Sequence, residues 1–329
     1  YYIFRGDKIG RRVQQELMKK AREGVKVKVI YDHVGSFRTP SKFFKEMQEA
    51  GVETHPFFKV VFPWFGTHVN WRNHRKVVII DGEIGYVGGM NIADRYVEGY
   101  KRSVWRDNHV RIEGPAVAAL QSSFSVDWTF LDKPLLTMTG SPQTQDANMH
   151  MLLMTSGPTS QWSNIAMLYN HAIAGARKRV FIQTPYFLPT EGLLRTLQAS
   201  ALAGVDVRVM VPRHSDSSLL TYASRSYFAE CMRAGIKIYQ FEPGMLHSKT
   251  IVIDDDISVV GSTNFDFRSF EHNFEASLFI FSAEFNQKLR QVFANDMEQS
   301  SRVIPAQWVH RPIFERALSS FMRLFSPVL

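Results

Sequence analysis

The sequence has almost no cysteine and no long apolar segment. Cys231 is the only cysteine among 329 residues, which excludes an intrachain disulfide and a zinc site built from several cysteines. No apolar run approaches the roughly 18 residues that a membrane-spanning helix needs, and no segment resembles a signal peptide. The fold must therefore be stabilised by an ordinary hydrophobic core.

Length and composition indicate a globular protein with a basic surface. At roughly 150 residues per domain, 329 residues suggest about two domains. The chain is 45% hydrophobic and 21% charged, which is enough to build a sizeable core. Its net charge of +8 and pI near 9.5 favour anionic partners, such as nucleic acid, phospholipid headgroups or phosphorylated metabolites.

A repeat divides the chain into two α/β units. In the first half, a helical pattern over residues 10–23 ends at Gly24 and precedes an alternating strand pattern over residues 25–31. The second half repeats this order at residues 193–203, Gly204 and residues 205–211. Another helix follows in each copy and ends at Gly51 or Gly235. Alternating strands and helices predict parallel sheets, so we expect two α/β domains that arose by duplication.

The same comparison predicts the domain boundaries. The second copy has a helical pattern over residues 165–176 before its first strand, whereas the first copy begins directly with strand-like residues 1–4. We therefore expect that the sequence is incomplete at its N-terminus. A stretch containing Pro, Ser and Gln is typical of a linker. The predicted organisation is a first domain at residues 1–132, a linker at 133–148 and a second domain at 149–329.

One motif occurs twice with identical spacing. It consists of a His and a Lys two positions later, an Asp after four further residues, and a Gly-containing segment that begins after six more and ends in Asn. Its members are His74, Lys76, Asp81 and Asn91 in the first half, and His247, Lys249, Asp254 and Asn264 in the second. A single copy would fit a structural histidine equally well, but the match in both repeats favours a functional role.

The spacing has a chemical rationale. Side chains two positions apart on a strand point to the same face, about 6–7 Å apart, so each His should lie beside its Lys. An imidazole next to an ammonium group suits attack on a phosphate whose charge must be neutralised. Gly88-Gly89 and Gly261-Ser262 lack bulk, so backbone and Asn amides could approach the same oxygens. We therefore expect Asn91 and Asn264 to bind substrate.

Four acidic residues are candidates for supporting roles. Asp107 and Glu275 lie downstream of the two motifs, and each could accept a hydrogen bond from an imidazole and fix its tautomer. Asp81 and Asp254 begin tight connections after their strands, where Asp is common because it favours turns. The residues themselves thus favour a structural role for Asp81 and Asp254.

The paired motifs resemble those of the phospholipase D superfamily, and the wider sequence is similar to bacterial cardiolipin synthases. The resemblance extends over essentially the whole chain and is carried by residues 70–76 (NWRNHRK), 88–94 (GGMNIAD), 105–107 (WRD), 114–117 (GPAV) and 261–269 (GSTNFDFRS). It implies an α/β fold of two duplicated α/β/α domains related by a pseudo-twofold axis. It also places Asp81 and Asp254 among the catalytic motif residues, with His74, Lys76, His247 and Lys249.

The resemblance further implies a mechanism and a substrate. One His attacks the phosphodiester of phosphatidylglycerol, releases glycerol and forms a phosphatidyl-histidine. The other acts as acid, and then as base for a second phosphatidylglycerol that attacks to give cardiolipin. By analogy His74 is the nucleophile and His247 the acid/base, although the near-symmetry of the motifs leaves the order open. Such a division requires one neutral and one charged imidazole near neutral pH.

No metal or other cofactor is implied, and no nucleic-acid partner is expected. The implied partners are a phospholipid substrate and a bacterial membrane surface, because family members usually carry membrane-spanning helices before the first domain. This sequence shows no such helices, and its oligomeric state is not determined by the resemblance.

Two further segments bear on lipid binding. The aromatic stretch at residues 55–66 fits an acyl-chain entrance or ordinary core packing equally well. Residues 312–327 show apolar residues at helical spacing, which favours a helix that docks on the protein's own surface over one that lies in a membrane.

Three other functions remain open at this point. A related enzyme could use water or serine as acceptor, giving phospholipase D hydrolysis or phosphatidylserine synthesis. A nuclease would suit the +8 charge, but the basic residues are spread along the chain without a dense run. An inactive lipid-binding scaffold would have no chemical need for two complete sets of His, Lys and Asn.

Overall fold

The computed structural model describes residues 1–60, 70–101, 103–137 and 149–327. Its first half forms two small sheets with helices packed on them. A parallel pair, β1 and β2, is separate from an antiparallel sheet in the order β4-β5-β7. The elements are α1 Lys8–Arg22, β1 Lys28–Asp32, α2 Ser41–Glu49, β2 Glu53–Phe57, β3 Arg72–Asn73, β4 Val77–Ile80, β5 Ile84–Gly88, α3 Arg95–Glu98, β6 Val104–Arg106, β7 His109–Glu113 and α4 Val117–Thr129.

The second half is built on one large sheet. Its strand order is β18-β12-β11-β9-β14-β15-β17, and β8 pairs with the outer side of β17. The elements are β8 His150–Ser156, α5 Asn164–Ala174, β9 Arg179–Gln183, β10 Phe187–Leu188, α6 Glu191–Leu202, β11 Asp206–Pro212, α7 Ser218–Arg233, β12 Lys237–Phe241, β13 Gly244–Leu246, β14 Thr250–Ile253, β15 Ile257–Gly261, β16 Phe265–Asp266, α8 Phe267–Glu271, β17 Asn273–Phe281, α9 Ala283–Glu298, β18 Ser300–Arg302, α10 Pro305–Trp308 and α11 Ile313–Arg323.

The expectation of parallel sheets is only partly right. Strands β9, β11 and β12 are parallel, as their helical crossovers require. The strands that follow the His-x-Lys motifs are antiparallel to their neighbours, because β4–β5 and β14–β15 are hairpins closed by short turns. A parallel connection needs a crossover, whereas an antiparallel hairpin needs only a few residues. The sheets are therefore mixed.

Helices cover both faces of the large sheet in the second half, which gives the α/β/α layering. Helices α5, α6 and α7 pack one face with buried side chains such as Ile173, Leu197 and Phe228. Helix α9 covers the other face, where Phe293 stacks on Phe181 at 4.9 Å between ring centroids. This core holds β14, which follows His247 and Lys249, and β17, which carries Glu275.

Equivalent helix ends confirm the duplication. Gly24 and Gly204 follow the first helix of each copy and have φ near +90°, at 89° and 93°. Gly51 and Gly235 end the next helix with φ of 94° and 93°. A residue with a Cβ would be strained in this conformation, so the same turn chemistry is repeated in both halves.

Three sequence predictions concern segments that lie outside the main sheets. Residues 1–4 do not form a regular strand: Phe4 makes an isolated bridge to Ile92, and the backbone of Tyr1 is hydrogen-bonded to β1. His55, Phe57 and Phe58 pack in an aromatic cluster with Trp128 and Phe274, whereas residues 61–66 of the aromatic stretch lie outside the described residues. Most of the predicted linker, residues 138–148, also lies outside them.

The predicted docking of the C-terminal helix is confirmed. Helix α11 packs on α7, and Met322 is buried in the main core. Arg323 forms an ion pair with Glu230 at 2.6 Å, and its guanidinium lies 4.2 Å from the ring centroid of Tyr227. Among the described residues, no helix is long and apolar enough to cross a membrane.

Candidate active site

The two halves meet through exchanged strands. Strand β3, which precedes His74, pairs in parallel with the start of β17 in the other half. Reciprocally, β13, which precedes His247, pairs in parallel with β6. The same exchange continues at the histidines, since the amide of His74 donates to the Phe274 carbonyl at 2.9 Å and that of His247 to the Arg106 carbonyl at 2.6 Å. Both motifs are thereby brought to one interface.

Each motif histidine is hydrogen-bonded to a carboxylate from the opposite half. Nδ1 of His74 lies 2.8 Å from Oε1 of Glu275, and Nδ1 of His247 lies 2.6 Å from Oδ2 of Asp107. All four side chains are buried or nearly so. Asp107 and Glu275 therefore have the position expected of orienting carboxylates. The sequence did not reveal that each carboxylate would serve the histidine of the opposite half.

The two lysines lie beside the histidines, as the spacing predicts. Nζ of Lys76 donates to the backbone carbonyl of His74 at 2.6 Å, and Nζ of Lys249 donates to that of His247. Lys249 Nζ also lies 2.8 Å from Nδ1 of His247. Burial lowers the pKa of Lys76 well below its usual value and lowers the pKa of Lys249 to about 8. Two amino groups are thus held out of water at the point where the motifs converge.

The two carboxylates have different surroundings. The Ser262 hydroxyl and the Asn273 amide both donate to Glu275, in addition to the contact with His74. Burial by itself raises the Glu275 pKa, but His74, Lys76 and Ser262 together outweigh it and hold the net pKa below normal. At the position equivalent to Ser262, the first half has Gly89, where a Cβ would lie 2.2 Å from Oδ1 of Asp107. Without such a hydroxyl donor, burial raises the pKa of Asp107 to about 6.

Both motif imidazoles have lowered pKa values. Burial lowers the pKa of His74 to about 4. Burial and the two neighbouring lysines lower the pKa of His247 well below its usual range. Both imidazoles are therefore neutral at pH 7 when no anion is bound. An anionic ligand would offset the field of the lysines and raise both pKa values.

The two motif asparagines differ in their availability. Oδ1 of Asn91 accepts from the Ile3 amide at 3.0 Å and its Nδ2 donates to the Tyr96 hydroxyl at 2.7 Å, so its amide is already occupied. Asn264 is also buried, but its Oδ1 has no hydrogen-bond partner within the described ranges. Asn264 thus keeps an unpartnered acceptor within the described ranges, whereas Asn91 keeps only the second hydrogen of its Nδ2.

The motif aspartates lie away from the histidines. Asp81 and Asp254 stand in turns at the far ends of β4 and β14, roughly 15 Å along the strand from the lysines. Both have positive φ, of 56° and 47°, in the left-handed region that turn residues adopt. Asp254 accepts hydrogen bonds from the backbone amides of residues 177–179. These contacts fit a structural role in the turns, and the inclusion of Asp81 and Asp254 among the catalytic residues stays a prediction from the resemblance.

Several site residues were not anticipated from the sequence. The Tyr2 ring stands edge-on to His74 with 5.0 Å between centroids, and the Trp105 ring lies 5.6 Å from that of His247. Arg75 is buried in an ion pair with Asp127 and also donates to the carbonyls of Glu275 and Ser156. The alternation of β3 could have identified Arg72, which lies two positions before His74, but nothing in the sequence indicated Tyr2 or Asp127.

The arrangement is suited to attack on a phosphorus atom. Because Nδ1 of each imidazole faces a carboxylate, Nε2 remains for chemistry, and it forms no hydrogen bond among the described residues. The lysines from both halves lie close enough for their charges to influence both histidines. Within the described ranges, no group of three or more His, Cys, Asp or Glu is placed to hold a metal ion.

Comparison of the sequence with known families and proteins gives concordant results. The family described as "Cardiolipin synthase, PLD-like domain" matches residues 1–128 and 169–297. Cardiolipin synthase 2 of Bacillus anthracis is 42% identical over the whole chain, and the major cardiolipin synthase ClsA of Bacillus subtilis is 40% identical. The chain spans 65% and 69% of the length of these two proteins.

Solved structures show the same fold at low sequence identity. Phosphatidylserine synthase of Haemophilus influenzae superposes with a TM-score of 0.74 at 14% identity, over 99% of this chain and 88% of that one. Polyphosphate kinase of Porphyromonas gingivalis gives a TM-score of 0.61 at 11% identity, over 99% of this chain and 48% of that one. The duplicated phospholipase D-like fold is therefore confirmed.

The exchanged carboxylates predict a specific response to Glu275→Gln. This change removes the charge that supports the Nδ1–H tautomer of His74 and raises its pKa. We expect the His74 pKa to fall below about 4 and its tautomer to become mixed. Nitrogen-15 NMR of histidine-labelled protein over a pH series measures both quantities.

Asp107→Asn is the reciprocal variant and should alter the spectrum of His247 while sparing His74. Glu284→Gln, at an exposed position on α9, should change neither. The exchange would be refuted if Glu275→Gln perturbed His247 and left His74 as in the unsubstituted protein.

Proposed function

Because the chain belongs to the cardiolipin synthase family of phospholipase D-like proteins, we propose that it is a phosphatidyltransferase. In the proposed reaction, two molecules of phosphatidylglycerol give cardiolipin and glycerol. The observation that carries the proposal is the pair of His–Lys units at one interface, each with Nε2 open and Nδ1 held by a carboxylate. The similarity to proteins named cardiolipin synthases supports the choice of product.

In the first step, Nε2 of one histidine attacks the phosphorus of phosphatidylglycerol. A phosphorus–nitrogen bond forms as the bond from phosphorus to the glycerol oxygen breaks. The leaving oxygen takes a proton from the second imidazole, whose pKa rises once the phosphate is bound. Lys76 and Lys249 neutralise the negative charge that accumulates on the phosphate oxygens.

The different surroundings of the two histidines support His74 as the nucleophile. Its Nδ1 faces Glu275, whose lowered pKa keeps it ionised, so Nδ1 carries the proton and Nε2 a lone pair. Nδ1 of His247 contacts both Asp107 and Lys249, whose pKa values of about 6 and about 8 lie on either side of neutrality. We assign proton transfer to His247 because its Nδ1 lies between these two titratable groups; its own pKa is low without a ligand, and a bound phosphate would raise it.

In the second step, a primary hydroxyl of another phosphatidylglycerol attacks the phosphatidyl-histidine. Its proton passes to His247, a new phosphorus–oxygen bond forms, and the electron pair of the broken phosphorus–nitrogen bond returns to Nε2 of His74. Burial of the site favours a bound hydroxyl over bulk water as acceptor, since most of its polar groups are withdrawn from solvent.

Covalent labelling tests the assignment of the two histidines. With phosphatidylglycerol labelled at phosphorus, we expect wild-type protein and His247→Asn to carry label on His74, and His74→Asn to carry none. Steady-state cardiolipin formation should fall by at least about 10³-fold in both variants, because each removes a member of one catalytic unit. Because acid hydrolyses the phosphorus–nitrogen bond of a phosphohistidine, the protein is denatured and digested at neutral to mildly alkaline pH, and peptide mass spectrometry locates the label.

Product analysis and chelation complete this test. Cardiolipin with an equal amount of glycerol is expected, and chelators should leave the rate unchanged. Phosphatidic acid as the main product would identify a hydrolase instead, and label on His247 alone would reverse the assignment.

The pKa of Lys249 predicts the alkaline limb of the pH profile. Below about pH 8 its ammonium group is charged and binds the phosphate; as the pH rises through this pKa the charge is lost, so kcat/KM should fall. The limb belongs to the coupled group of His247, Lys249 and Asp107. Lys249→Arg keeps the charge and should move the limb upward by a pH unit or more, whereas Lys237→Arg should not. An unmoved limb in an active Lys249→Arg variant would contradict this account.

We also propose that the outer face of α11 contacts the membrane that holds the substrate. Ile313 and Phe314 are 82% and 73% exposed, and Leu324 beyond the helix is 75% exposed. Helix α11 runs along the C-terminal half of α7, since Glu315 is near Arg225 in the middle of α7 while Arg323 pairs with Glu230. Helix α7 starts just after Asp216, whose charge influences Lys249 in the site. Exposed apolar side chains of this kind on an amphipathic helix are suited to contact with a lipid surface.

Membrane contact through α11 is tested by Ile313→Asp combined with Phe314→Asp. Loss of two inserting side chains should weaken binding to phosphatidylglycerol vesicles by about ten-fold or more in cosedimentation. Leu202→Asp, at a position that is 74% exposed on α6, is the matched control and should bind normally. Equal weakening in both variants would argue against a specific role for α11.

A further inference from the structure

A buried arginine next to the site has unsatisfied hydrogen-bonding groups. Arg72 is only 2% exposed, and its Nε and Nη1 have no hydrogen-bond partner within the described ranges. Asp32, the carboxylate whose charge acts on it most, instead accepts from the backbone amides of Gly35 and Asn73. Burying guanidinium nitrogens without partners costs free energy, so a ligand that accepts hydrogen bonds from them would stabilise the site.

Arg72 lies on the same side of its strand as His74. The two residues are separated by one position in the extended backbone of β3, which continues through the hydrogen bond from the His74 amide to Phe274. Their side chains therefore emerge side by side, about 6–7 Å apart. The equivalent position before His247 is occupied by Met245. An arginine two positions before the motif histidine is thus present in the first half and replaced by methionine in the second.

A second arginine completes a cationic pair. Arg268, on the short helix α8, follows Asn264 by four residues, and its guanidinium forms no hydrogen bond or ion pair among the described residues. Arg72 and Arg268 lie near enough for each to act electrostatically on the other and on Tyr2, whose ring contacts His74. Arg95, at the equivalent position of the first half, is instead placed 4.2 Å from the ring centroid of Trp105. Arg268 therefore remains available to an anion.

We propose that Arg72 and Arg268 bind a second phosphodiester, that of the phosphatidylglycerol molecule that accepts the phosphatidyl group. The inference rests on the proposed function. Lys76 and Lys249 serve the phosphate that is attacked, and two further guanidinium groups match the single negative charge and paired oxygens of a phosphodiester. The site is distinct from the attacked position but adjoins it.

The position of this pair explains how the acceptor hydroxyl is oriented. The two phosphates of cardiolipin are joined by one glycerol, so the acceptor phosphate must lie within a three-carbon bridge of the phosphorus on His74. A cation two residues from His74 lies at a comparable separation. Holding the acceptor phosphate there directs its free hydroxyl toward the phosphatidyl-histidine, where the proton passes to His247 and the phosphorus–nitrogen bond breaks.

The test compares two soluble acceptors with full-length protein and phosphatidylglycerol as donor. Glycerophosphoglycerol carries the second phosphodiester without acyl chains, whereas radiolabelled glycerol lacks it and reports donor chemistry by exchange. Wild-type protein should prefer glycerophosphoglycerol by at least about ten-fold in kcat/KM. Arg72→Gln and Arg268→Gln should each lower that preference by about ten-fold or more and change glycerol exchange by less than about two-fold.

Arg208→Gln, which removes a half-buried arginine on β11, is the matched control and should keep the preference. Arg268 is only half-buried, so its variant decides the question if Arg72→Gln does not fold. Equal losses with both acceptors would assign the arginines to the donor phosphate and overturn the inference, as would an unchanged preference. A wrong proposed function would give a different result from a wrong inference, because wild-type protein would then use neither acceptor.

Discussion

The hydrogen bond from each motif histidine to a carboxylate of the other half is the interaction on which the site depends. Neither half contains a complete His–carboxylate pair, since Glu275 serves His74 and Asp107 serves His247. The pairing of β3 with β17 and of β13 with β6 brings these groups together. Any shift of one half against the other would leave carboxylates buried without partners, which is costly. The chemistry of the site and the docking of the two halves are therefore one constraint.

A small difference within this symmetry separates the two histidines. Ser262 donates to Glu275, whereas its counterpart Gly89 only makes room for Asp107. The hydroxyl helps to keep the Glu275 pKa low, and the absence of one leaves Asp107 with a raised pKa. Duplication supplies two similar imidazoles, and they face carboxylates whose pKa values are shifted in opposite directions. A two-step transfer needs such a difference, since one imidazole must attack while the other exchanges protons.

The sequence predicted the features that depend on local spacing. The repeat, the two His-x-Lys motifs and the role of Asp107 and Glu275 follow from periodicity and from chemical complementarity. It did not predict that β4 and β14 are hairpin strands in mixed sheets, because helix–strand alternation elsewhere suggested parallel pairing. It also could not place Tyr2 on His74 or Asp127 on Arg75, since these contacts join residues about 50 or more positions apart. The inclusion of Asp81 and Asp254 among the catalytic residues was inferred from the resemblance. Both lie in turns with positive φ, and the need for a turn residue explains why an Asp recurs at that spacing.

The charge balance of the site connects its stability to its ligand. Lys76, Lys249 and Arg72 are buried at the interface. The two orienting carboxylates beside the lysines, Glu275 and Asp107, are already hydrogen-bonded to the motif histidines. Burial has already lowered the pKa of both lysines, which shows that the fold holds these charges at a cost. A phosphodiester that enters the interface supplies the missing negative charge and raises the proton affinity of the imidazoles at the same time. The cluster of positive groups therefore favours an anionic ligand, and in the proposed reaction the same binding step raises the pKa of the imidazole that acts as the acid.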